Sequence, residues 1–300
     1  MSSVIAQHHH ELFSIYNGDC MEVLSSLPSD SVDFSVYSPP FSSLYIYSDS
    51  ERDLGNCKND EEFFAQYKFL IEQKYRVTRP GRLTAVHCKQ LVDYANAKGH
   101  SGWRDFRGDI IRAHTAAGWV YHCEAVIWKC PVNEMTKTKT QRLLYKQLRT
   151  DSSHSGMGMP EYVLIFRKWA DREREVPITK TAESFPLEQW RDWASPVWPV
   201  WMDIRQTNVL NGQVARDGKD EKHICPLQLD VIERCITMWT NPGDVVLSPF
   251  MGIGSEGYVS MQLGRRFIGA ELKPEYFALA KKYIESALVK EDDLIGEIGG

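Results

Sequence analysis

The stretch that decides the fold is Asp244-Val-Val-Leu-Ser-Pro-Phe-Met-Gly-Ile-Gly-Ser-Glu-Gly257, late in a chain of 300 residues. It begins with an apolar run typical of a buried strand, passes through a glycine turn and continues into a helical segment. Gly252 and Gly254 can adopt backbone angles that other residues avoid, and they let a ligand lie against the main chain. The free N–H groups of the following helix suit the anionic end of a ligand. The stretch therefore predicts a binding site for a small molecule.

The next predicted strand, Phe267–Ala270, is followed by Glu271. A carboxylate at that point can accept both ribose hydroxyls of a nucleoside cofactor, as it does in dinucleotide sites. Gly252, Gly254 and Gly257 fit the spacing of the dinucleotide fingerprint, so a dinucleotide enzyme is one alternative. Only one further strand follows the glycine turn, however. The sheet could be completed only by strands from the N-terminus, in a circularly permuted order.

Short apolar runs that end in turn signals recur along the chain, as buried parallel strands do. The predicted strands are Phe13–Tyr16, Val32–Tyr37, Leu83–His87, Glu124–Trp128, Tyr162–Phe166, Val245–Leu247 and Phe267–Ala270. The predicted helices are Glu61–Arg76, Phe106–Ala117, Gln228–Trp239, Glu256–Leu263 and Pro274–Leu288. This alternation predicts an α/β fold, with a mostly parallel sheet and helices on both faces.

A second signal is the loop Ser38-Pro39-Pro40-Phe41, which follows a predicted strand and so lies at a carboxyl edge, where open α/β sheets bind ligands. The prolines remove two backbone donors, so the loop offers acceptors. Hydrogen bonds from a base amine to Ser38 and to the Pro39 carbonyl would expose the lone pair of the nitrogen for attack. The base would have to leave the stack, and Phe41 would stack on it. Taken alone, these four residues are more typical of a plain turn.

The composition is ordinary for a soluble globular protein, with 43% hydrophobic and 25% charged residues. We see neither a membrane span nor a secretory signal, and the seven cysteines form no CxxC pair. We therefore expect a cytoplasmic protein with reduced thiols and without a metal site. We expect His87 and His122, which lie beside strands, to be packed rather than catalytic.

The net charge of −5 does not suggest a nucleic-acid binder. Between Lys129 and Lys168, however, eight basic residues stand against three acidic ones. Such a segment can neutralise a few phosphates, although a solvated helix face is the more common explanation.

Together, the two halves resemble the amino-methylating DNA methyltransferases of the permuted, or β, arrangement. In that family a [DNS]PP[YFW] catalytic loop comes first and an FxGxG cofactor motif comes last. The matching segments are Asn17–Cys20, Ser38–Phe41, Pro80–Leu83, Ala117–Lys129, His223–Gln228, Ser248–Ser255 and Gly264–Glu271. The resemblance thus runs nearly from end to end. One departure is Ser248, which stands where the family usually has aspartate.

The resemblance implies a Rossmann-like methyltransferase fold and transfer of a methyl group from S-adenosyl-L-methionine to an exocyclic amine of a DNA base. It implies Ser38, Pro39, Pro40 and Phe41 as the catalytic loop. The cofactor-binding residues that it implies are Asp19, Cys20, His223, Pro226, Leu227, Pro249, Phe250, Gly252, Gly254, Ser255 and Glu271. The DNA contacts that it implies are Lys137, Lys139, Arg142, Lys146 and Arg149. A homodimer is compatible with this interpretation.

The resemblance also implies a division of the chain. Residues 1–169 would hold the catalytic part and the DNA-contacting loops, and residues 223–290 the cofactor-binding part of the same domain. Residues 170–222 would be a small target-recognition insertion, with Trp190, Trp193, Trp198 and Trp201 in a small packed core. About fifty residues leave little room for a base-reading module, so we expect a short or relaxed recognition site. Residues 291–300 would be a tail.

The target base stays open at this point. Serine in the catalytic loop is associated with cytosine-N4 methylation. Residues 44–50, 104–112 and 139–148, however, resemble phage and prophage adenine-N6 methylases of loose specificity, and we expect adenine. A methyltransferase of RNA or of protein glutamine is a more remote alternative, because related NPPY loops serve those substrates. A catalytically silent DNA-binding or cofactor-binding protein is another.

Overall fold

Strands alternate with helices along most of the chain, as the apolar runs predict. The computed structural model describes residues 4–40, 54, 57–93, 99–100, 102–132, 134, 145–154, 156, 158–171, 175–194, 199–211 and 226–296. The strands are β1 (Ala6–His9), β2 (Phe13–Asn17), β3 (Val32–Tyr37), β4 (Thr78–Lys89), β5 (Leu91–Asp93), β6 (Gly102–Arg104), β7 (Val120–Ile127), β8 (Glu161–Arg167), β9 (Val200–Trp201), β10 (Val245–Ser248) and β11 (Arg266–Glu271). The helices are α1 (Cys20–Ser26), α2 (Asp60–Val77), α3 (Phe106–Ala116), α4 (Tyr145–Thr150), α5 (Leu187–Trp193), α6 (Leu229–Trp239), α7 (Ser255–Gln262) and α8 (Pro274–Gly296).

Strands from both ends of the chain meet in one sheet. Within the described residues, nine strands pair in the order β1-β2-β11-β10-β3-β4-β8-β7-β9. All neighbours from β2 to β4 are parallel, whereas β8 runs antiparallel to both β4 and β7. The C-terminal strands β10 and β11 lie between the N-terminal strands β2 and β3. The mostly parallel sheet and the circularly permuted order are therefore confirmed.

Helices cover both faces of this sheet, because successive residues of a buried strand point to opposite sides. On β3, Phe34 and Val36 join one apolar core, which also receives Ile232 of α6 and Ile284 of α8. Tyr37 joins the other core, together with side chains of α1, α2 and α3. The carboxyl ends of β2, β3, β4, β10 and β11 consequently meet at one edge, between the two helical layers.

Buried charges tie the opposite edge of the sheet together. The guanidinium of Arg82, which is 2% exposed, lies 3.4 Å from the carboxylate of Asp33 and 3.2 Å from that of Asp244. Asp33 also accepts a hydrogen bond from the Val245 N–H at 2.9 Å. These contacts link the starts of β3, β4 and β10. The Pro80–Leu83 motif thus serves strand alignment, away from the carboxyl edge.

Some elements differ from the sequence-based expectation. The polar strand β1 was not predicted, since its stability comes from pairing with β2 at the sheet edge. Helix α1 was not predicted either; Asp19 caps it by accepting a hydrogen bond from the Met21 N–H. Helix α8 continues to Gly296, into the segment that we expected to be a tail. No described helix is both long and apolar enough to cross a membrane.

Residues 199–211 do not form a separate module. Strand β9 pairs with β7 in the main sheet, and Trp201 packs in the main core. The Arg234 guanidinium lies 5.1 Å from the Trp193 ring and 5.3 Å from the Trp201 ring. Trp190 is 42% exposed, which contradicts its expected place in a packed tryptophan core. Trp198 lies outside the described residues.

Candidate active site

A cavity of about 240 Å³ opens at the carboxyl edge of the sheet. Its walls come from the ends of β4 and β11, from the segments that follow β2, β3, β10 and β11, from the first residue of β8 and from residues 226–228 before α6. This is the edge at which open α/β sheets place ligands. Most of the residues that the sequence assigns to the site line it: Asp19, Cys20, Ser38, Pro39, Pro40, Pro226, Leu227, Pro249, Phe250, Gly252, Ser255 and Glu271. Phe41 and His223 lie outside the described residues. The Ser38–Pro40 segment and the glycine motif, about 200 residues apart in the sequence, therefore line the same cavity.

The glycine turn is held by Glu271, the last residue of β11. The N–H of Gly252 donates to Glu271 Oε2 at 3.0 Å, and the N–H of Lys273 donates to Glu271 Oε1 at 2.8 Å. Gly252 has a φ of 53°, and a side chain at this position would meet nothing within 4 Å. The carboxylate is thereby oriented at the cavity wall.

Gly254 has a different role from the one predicted for it. It does not line the cavity, and a Cβ at this position would lie 2.9 Å from the Cα of Ala280 on α8. With a φ of 90° it forms the N-cap of α7. The second glycine of the motif is thus required by helix packing and by the left-handed turn, and its contact with a ligand is not supported by the geometry.

Sequence reasoning missed Glu256, the second residue of α7. Its side chain lines the cavity, and the residue is only 4% exposed. Burial raises the pKa of this carboxyl to about 8, and the nearby charge of Glu271 adds to the effect. No sequence pattern singles out Glu256, apart from its position directly after the glycine motif.

Cys20 also lines the cavity, as expected. Burial raises the pKa of its thiol far above the usual range, with a further contribution from the charge of Asp19. The thiol is therefore held in its neutral form, which is a weak nucleophile. This environment does not favour covalent catalysis by Cys20.

The loop that follows β3 contacts a histidine. Ser38 Oγ lies 3.2 Å from His87 Nδ1, and His87 Nε2 lies 3.2 Å from Glu161 Oε2. Glu161 Oε1 in turn accepts a hydrogen bond from Lys129 Nζ at 2.8 Å. His87 is buried, as expected, and it also contacts the loop serine and lines the cavity. His122, by contrast, lies at an exposed position on β7.

The sequence did contain a signal for His87. It lies at the carboxyl end of β4, the parallel neighbour of the strand that carries the catalytic loop. Glu161 and Lys129 could not be found in this way. Glu161 is the first residue of β8, and because β8 pairs antiparallel with both β4 and β7, it lies beside the ends of both strands and contacts His87. Lys129 follows the end of β7 and contacts Glu161.

The predicted DNA contacts are only partly described. Lys146 and Arg149 are exposed on α4, whereas Lys137, Lys139 and Arg142 lie outside the described residues. Since β7 ends and β8 begins at the carboxyl edge of β4, the connection between them leaves and re-enters the sheet on the cavity side. The connection that carries these cations thus starts and ends beside the site.

The cavity suits a nucleoside cofactor with a cationic centre. Apolar side chains of Leu227 and Phe250 can cover a base, and the acids Asp19 and Glu271 line the walls. Glu161 and Glu256 also line them, but Glu161 is paired with Lys129 and the pKa of Glu256 is raised. The N-terminus of α7 offers backbone N–H groups for a carboxylate. No group of three or more His, Cys, Asp or Glu side chains among the described residues is placed to hold a metal ion. The fold and site together define a Rossmann-like methyltransferase.

Comparisons with known proteins identify the family. The model of the DNA methylase family N6_N4_Mtase matches residues 32–282, and the chain belongs to this family. The type II methyltransferase M.BglII of Bacillus subtilis is 26% identical over 287 residues, covering 93% of this chain and 70% of that protein. The protein is therefore an S-adenosyl-L-methionine-dependent DNA methyltransferase of the N6-adenine/N4-cytosine type.

Solved structures share the fold. A DNA modification methylase of Thermus thermophilus, complexed with S-adenosyl-L-methionine, aligns with a TM-score of 0.65 at 23% identity over 93% of this chain and 95% of that chain. The cytosine-N4-specific PvuII DNA methyltransferase aligns with a TM-score of 0.62 at 19% identity, over 91% and 86% of the two chains. At these identities the likeness concerns the fold alone.

Proposed function

We propose that the protein methylates the N6 amine of adenine in DNA and that Ser38-Pro39-Pro40-Phe41 is its catalytic loop. The observation that carries the proposal is the position of Ser38, Pro39 and Pro40 on the wall of the cavity that the cofactor motif also lines. A loop of acceptors beside a methyl donor suits an acceptor group that bears hydrogens. An exocyclic base amine is such a group.

The amine nitrogen of a base is a poor nucleophile, because its lone pair is delocalised into the ring. In the proposed reaction Ser38 Oγ and the Pro39 carbonyl accept its two hydrogens and draw the nitrogen toward tetrahedral geometry. S-adenosyl-L-methionine supplies the electrophilic methyl group. Phe41 is proposed to stack on the target base, which has to leave the duplex to enter the cavity.

The cofactor is proposed to lie along the residues that the glycine motif brings together. Glu271 binds the ribose hydroxyls, while Asp19 and Cys20 lie near the adenine. Pro226, Leu227, Pro249 and Phe250 form the apolar wall, and Gly252 and Ser255 contact the methionine end at the start of α7. His223 is proposed to belong to the same site on the strength of its sequence motif.

DNA is proposed to bind across the cavity mouth. Lys146 and Arg149, together with Lys137, Lys139 and Arg142, supply the phosphate contacts, which position the duplex without reading its sequence. Residues 199–211 belong to the main sheet and core, so that 40 of the 53 residues of the 170–222 segment are left for base reading. A short or relaxed recognition site follows.

A second candidate substrate is the N4 amine of cytosine. It is favoured by Ser38, since serine in this loop is associated with cytosine-N4 methylation in the family. Both reactions place an exocyclic amine against the same acceptors. The geometry of the loop supports the two equally, and the resemblance of residues 104–112 and 139–148 to adenine methylases favours adenine.

Transfer of tritiated methyl groups to duplex DNA, RNA and protein, assayed side by side, tests the substrate class. We expect incorporation into duplex DNA and background counts with RNA and protein. Mapping of the methylated positions should give a short or degenerate motif. Incorporation into RNA or protein alone would overturn the proposed substrate, and a single long, strictly required DNA motif would overturn the proposed specificity.

A further inference from the structure

A continuous line of polar side chains leads from the catalytic loop into the protein. It runs from Ser38 through His87 and Glu161 to Lys129, with successive distances of 3.2, 3.2 and 2.8 Å. The His87 and Glu161 side chains are 9% and 13% exposed, and that of Lys129 is 7% exposed. Burying a polar group costs free energy unless the group is hydrogen-bonded. Each hydrogen in this line is therefore expected to lie between a donor and an acceptor.

The charge of Glu161 sets the tautomer of His87. Burial by itself would raise the pKa of Glu161, but the hydrogen bond from His87, together with the charge and hydrogen bond of the Lys129 ammonium, holds the pKa well below its usual range. An ionised carboxylate can only accept, so His87 Nε2 has to carry a hydrogen toward it. In the neutral imidazole, Nδ1 is then an acceptor and faces the hydroxyl of Ser38.

This tautomer determines which way the hydroxyl of Ser38 points. The O–H donates to His87 Nδ1, so the lone pairs of Oγ are directed toward the cavity, where an amine hydrogen can be accepted. If His87 is protonated, Nδ1 becomes a donor to Oγ and the hydroxyl hydrogen has to turn away. It can turn to the His87 carbonyl, which lies 3.5 Å from Oγ, or into the cavity. In the second case the serine presents a donor where the amine also presents a donor, and in both cases Nδ1 can no longer take the proton.

We propose that His87, held by Glu161 and Lys129, orients the Ser38 hydroxyl and accepts through it the proton that the target amine loses. This inference rests on the proposed methylation of a base amine. It assigns a catalytic role to Ser38 and a positioning and proton-accepting role to His87. Glu161 is a positioning residue that acts through His87.

The proton balance of the step is complete. The amine nitrogen forms a bond to the methyl carbon as the bond from carbon to the sulfonium sulfur breaks, and the sulfur keeps that electron pair. One N–H proton of the amine passes to Ser38 Oγ while the hydroxyl proton passes to His87 Nδ1. The products are a methylated amine, a thioether and an imidazolium paired with Glu161, and the imidazolium releases its proton to solvent before the next turnover.

Other ionisable groups surround this line. Lys89 lies on the same strand as His87, and Glu256 and Glu271 line the cavity from α7 and the end of β11. Glu161 is the group in direct contact with His87 Nε2. A pH effect that passes through His87 should therefore respond to Glu161 and Lys129, and it should vanish when His87 is replaced.

The test is the rate of a single turnover, with saturating cofactor and DNA, between about pH 5.5 and 9. For the wild type we expect the rate to fall on the acidic side as His87 becomes protonated. In His87→Asn we expect a rate that is about 10²–10³-fold lower and has no acidic limb, since the amide oxygen can accept the Ser38 hydrogen bond but cannot take its proton. Cofactor affinity, measured by calorimetry, should stay within about twofold, because His87 faces the acceptor amine.

A second variant tests the line without altering His87. Glu161→Gln combined with Lys129→Met removes both charges together and keeps an acceptor for His87 Nε2–H. We expect the acidic limb to move to lower pH, because the imidazolium loses its carboxylate. His122→Asn, at the exposed histidine of β7, is the matched control and should leave both the rate and the limb unchanged.

The relay would be overturned by a wild-type rate that is flat across this pH range. A His87→Asn rate within about threefold of the wild type, or an unchanged acidic limb in that variant, would also overturn it. These results concern the relay alone, because they require a wild type that methylates DNA. A wild type that binds the cofactor but transfers no methyl group to DNA would instead refute the proposed function, and the relay with it.

Discussion

At the scale of single residues, the site contains one acid whose protonation state is unusual. Glu256 is buried, and burial raises the pKa of its carboxyl to about 8 from an ordinary value of 4.5. A group whose pKa is raised by folding contributes stability below its unfolded pKa and loses that contribution as the pH rises through the folded pKa. The relevant window therefore lies between about pH 4.5 and pH 8.

We predict that Glu256→Gln gains stability relative to the wild type as the pH is raised from about 5 to 9. In the folded wild type the carboxyl must lose its proton inside the protein at high pH, which opposes folding, whereas the amide does not titrate. The difference between the free energies of unfolding of the two proteins should change by roughly 3–5 kcal/mol over this pH range. Urea unfolding of the cofactor-free proteins measures it. Glu275→Gln, at an exposed position on α8, is the control for loss of a carboxylate. A constant difference across this range would show that Glu256 is ionised throughout.

Residue-scale chemistry was only partly accessible from the sequence. The motifs pointed to Ser38, Glu271 and the turn at Gly252, all of which line the cavity, because residue type and spacing are visible in the sequence. They did not identify Glu161 or Lys129, which reach the catalytic loop through an antiparallel strand pairing that no local pattern encodes. His87 was assigned to packing, since a histidine on an apolar strand has that role more often than a catalytic one.

At the scale of elements, the two glycines of the motif have different structural roles, which the sequence alone cannot distinguish. Gly252 faces open space beside the cavity, whereas Gly254 is in contact with α8. The spacing alone predicted a ligand contact for both. The contact between α7 and α8 depends on how the two helices cross, and that is a property of the folded molecule.

We predict that Gly254→Ala is more damaging than Gly252→Ala. Both residues have positive φ, which costs a residue with a side chain about 1–2 kcal/mol. The Gly254 variant in addition forces a methyl group to within 2.9 Å of Ala280, and overpacking of this kind costs about 1–3 kcal/mol more. Thermal unfolding and cofactor titration measure the two effects. Equal loss of stability in the two variants would contradict the assignment of Gly254 to helix packing.

The elements themselves were largely predictable. The predicted strands and helices recur in the structure with ends that shift by a few residues, because period and turn chemistry are local properties. The polar strand β1 and the first residues of β4 were not predicted, because they depend on pairing with neighbouring strands. Strand β1 pairs with Ser14–Asn17 of β2, and Thr78 of β4 pairs with Val32 of β3. The permuted order could be predicted, because a glycine unit near the C-terminus needs N-terminal strands to complete its sheet.

At the scale of the whole molecule, an acidic chain has to bind an acidic polymer. The net charge is −5, so attraction to DNA has to come from local cations rather than from the overall field. The basic segment between β7 and β8 starts and ends at the cavity edge, and Lys146 and Arg149 are exposed within it. The overall composition does not suggest a nucleic-acid binder. DNA binding is instead supported by the position of these cations in the fold, near the cavity.

We predict that the double variant Lys146→Ala and Arg149→Ala weakens DNA binding and lowers its salt dependence. Loss of two phosphate contacts should reduce the slope of log affinity against log salt concentration by about 2. Fluorescence anisotropy with labelled duplexes at several salt concentrations measures this slope. Lys68→Ala, an exposed lysine on α2, is the control. An unchanged slope in the double variant would place the DNA on another surface.

The central claim is that the cavity transfers a methyl group to an exocyclic amine of a DNA base. It is tested most directly by incubating duplex DNA with the protein and S-adenosyl-L-methionine that carries a trideuterated methyl group, then digesting the DNA to nucleosides for mass spectrometry. We predict trideuterated N6-methyldeoxyadenosine with the wild type and a strong reduction with Ser38→Ala. Label on N4 of deoxycytidine would contradict the choice of adenine. Absence of labelled nucleosides, or label on C5 of deoxycytidine, would contradict the claim itself.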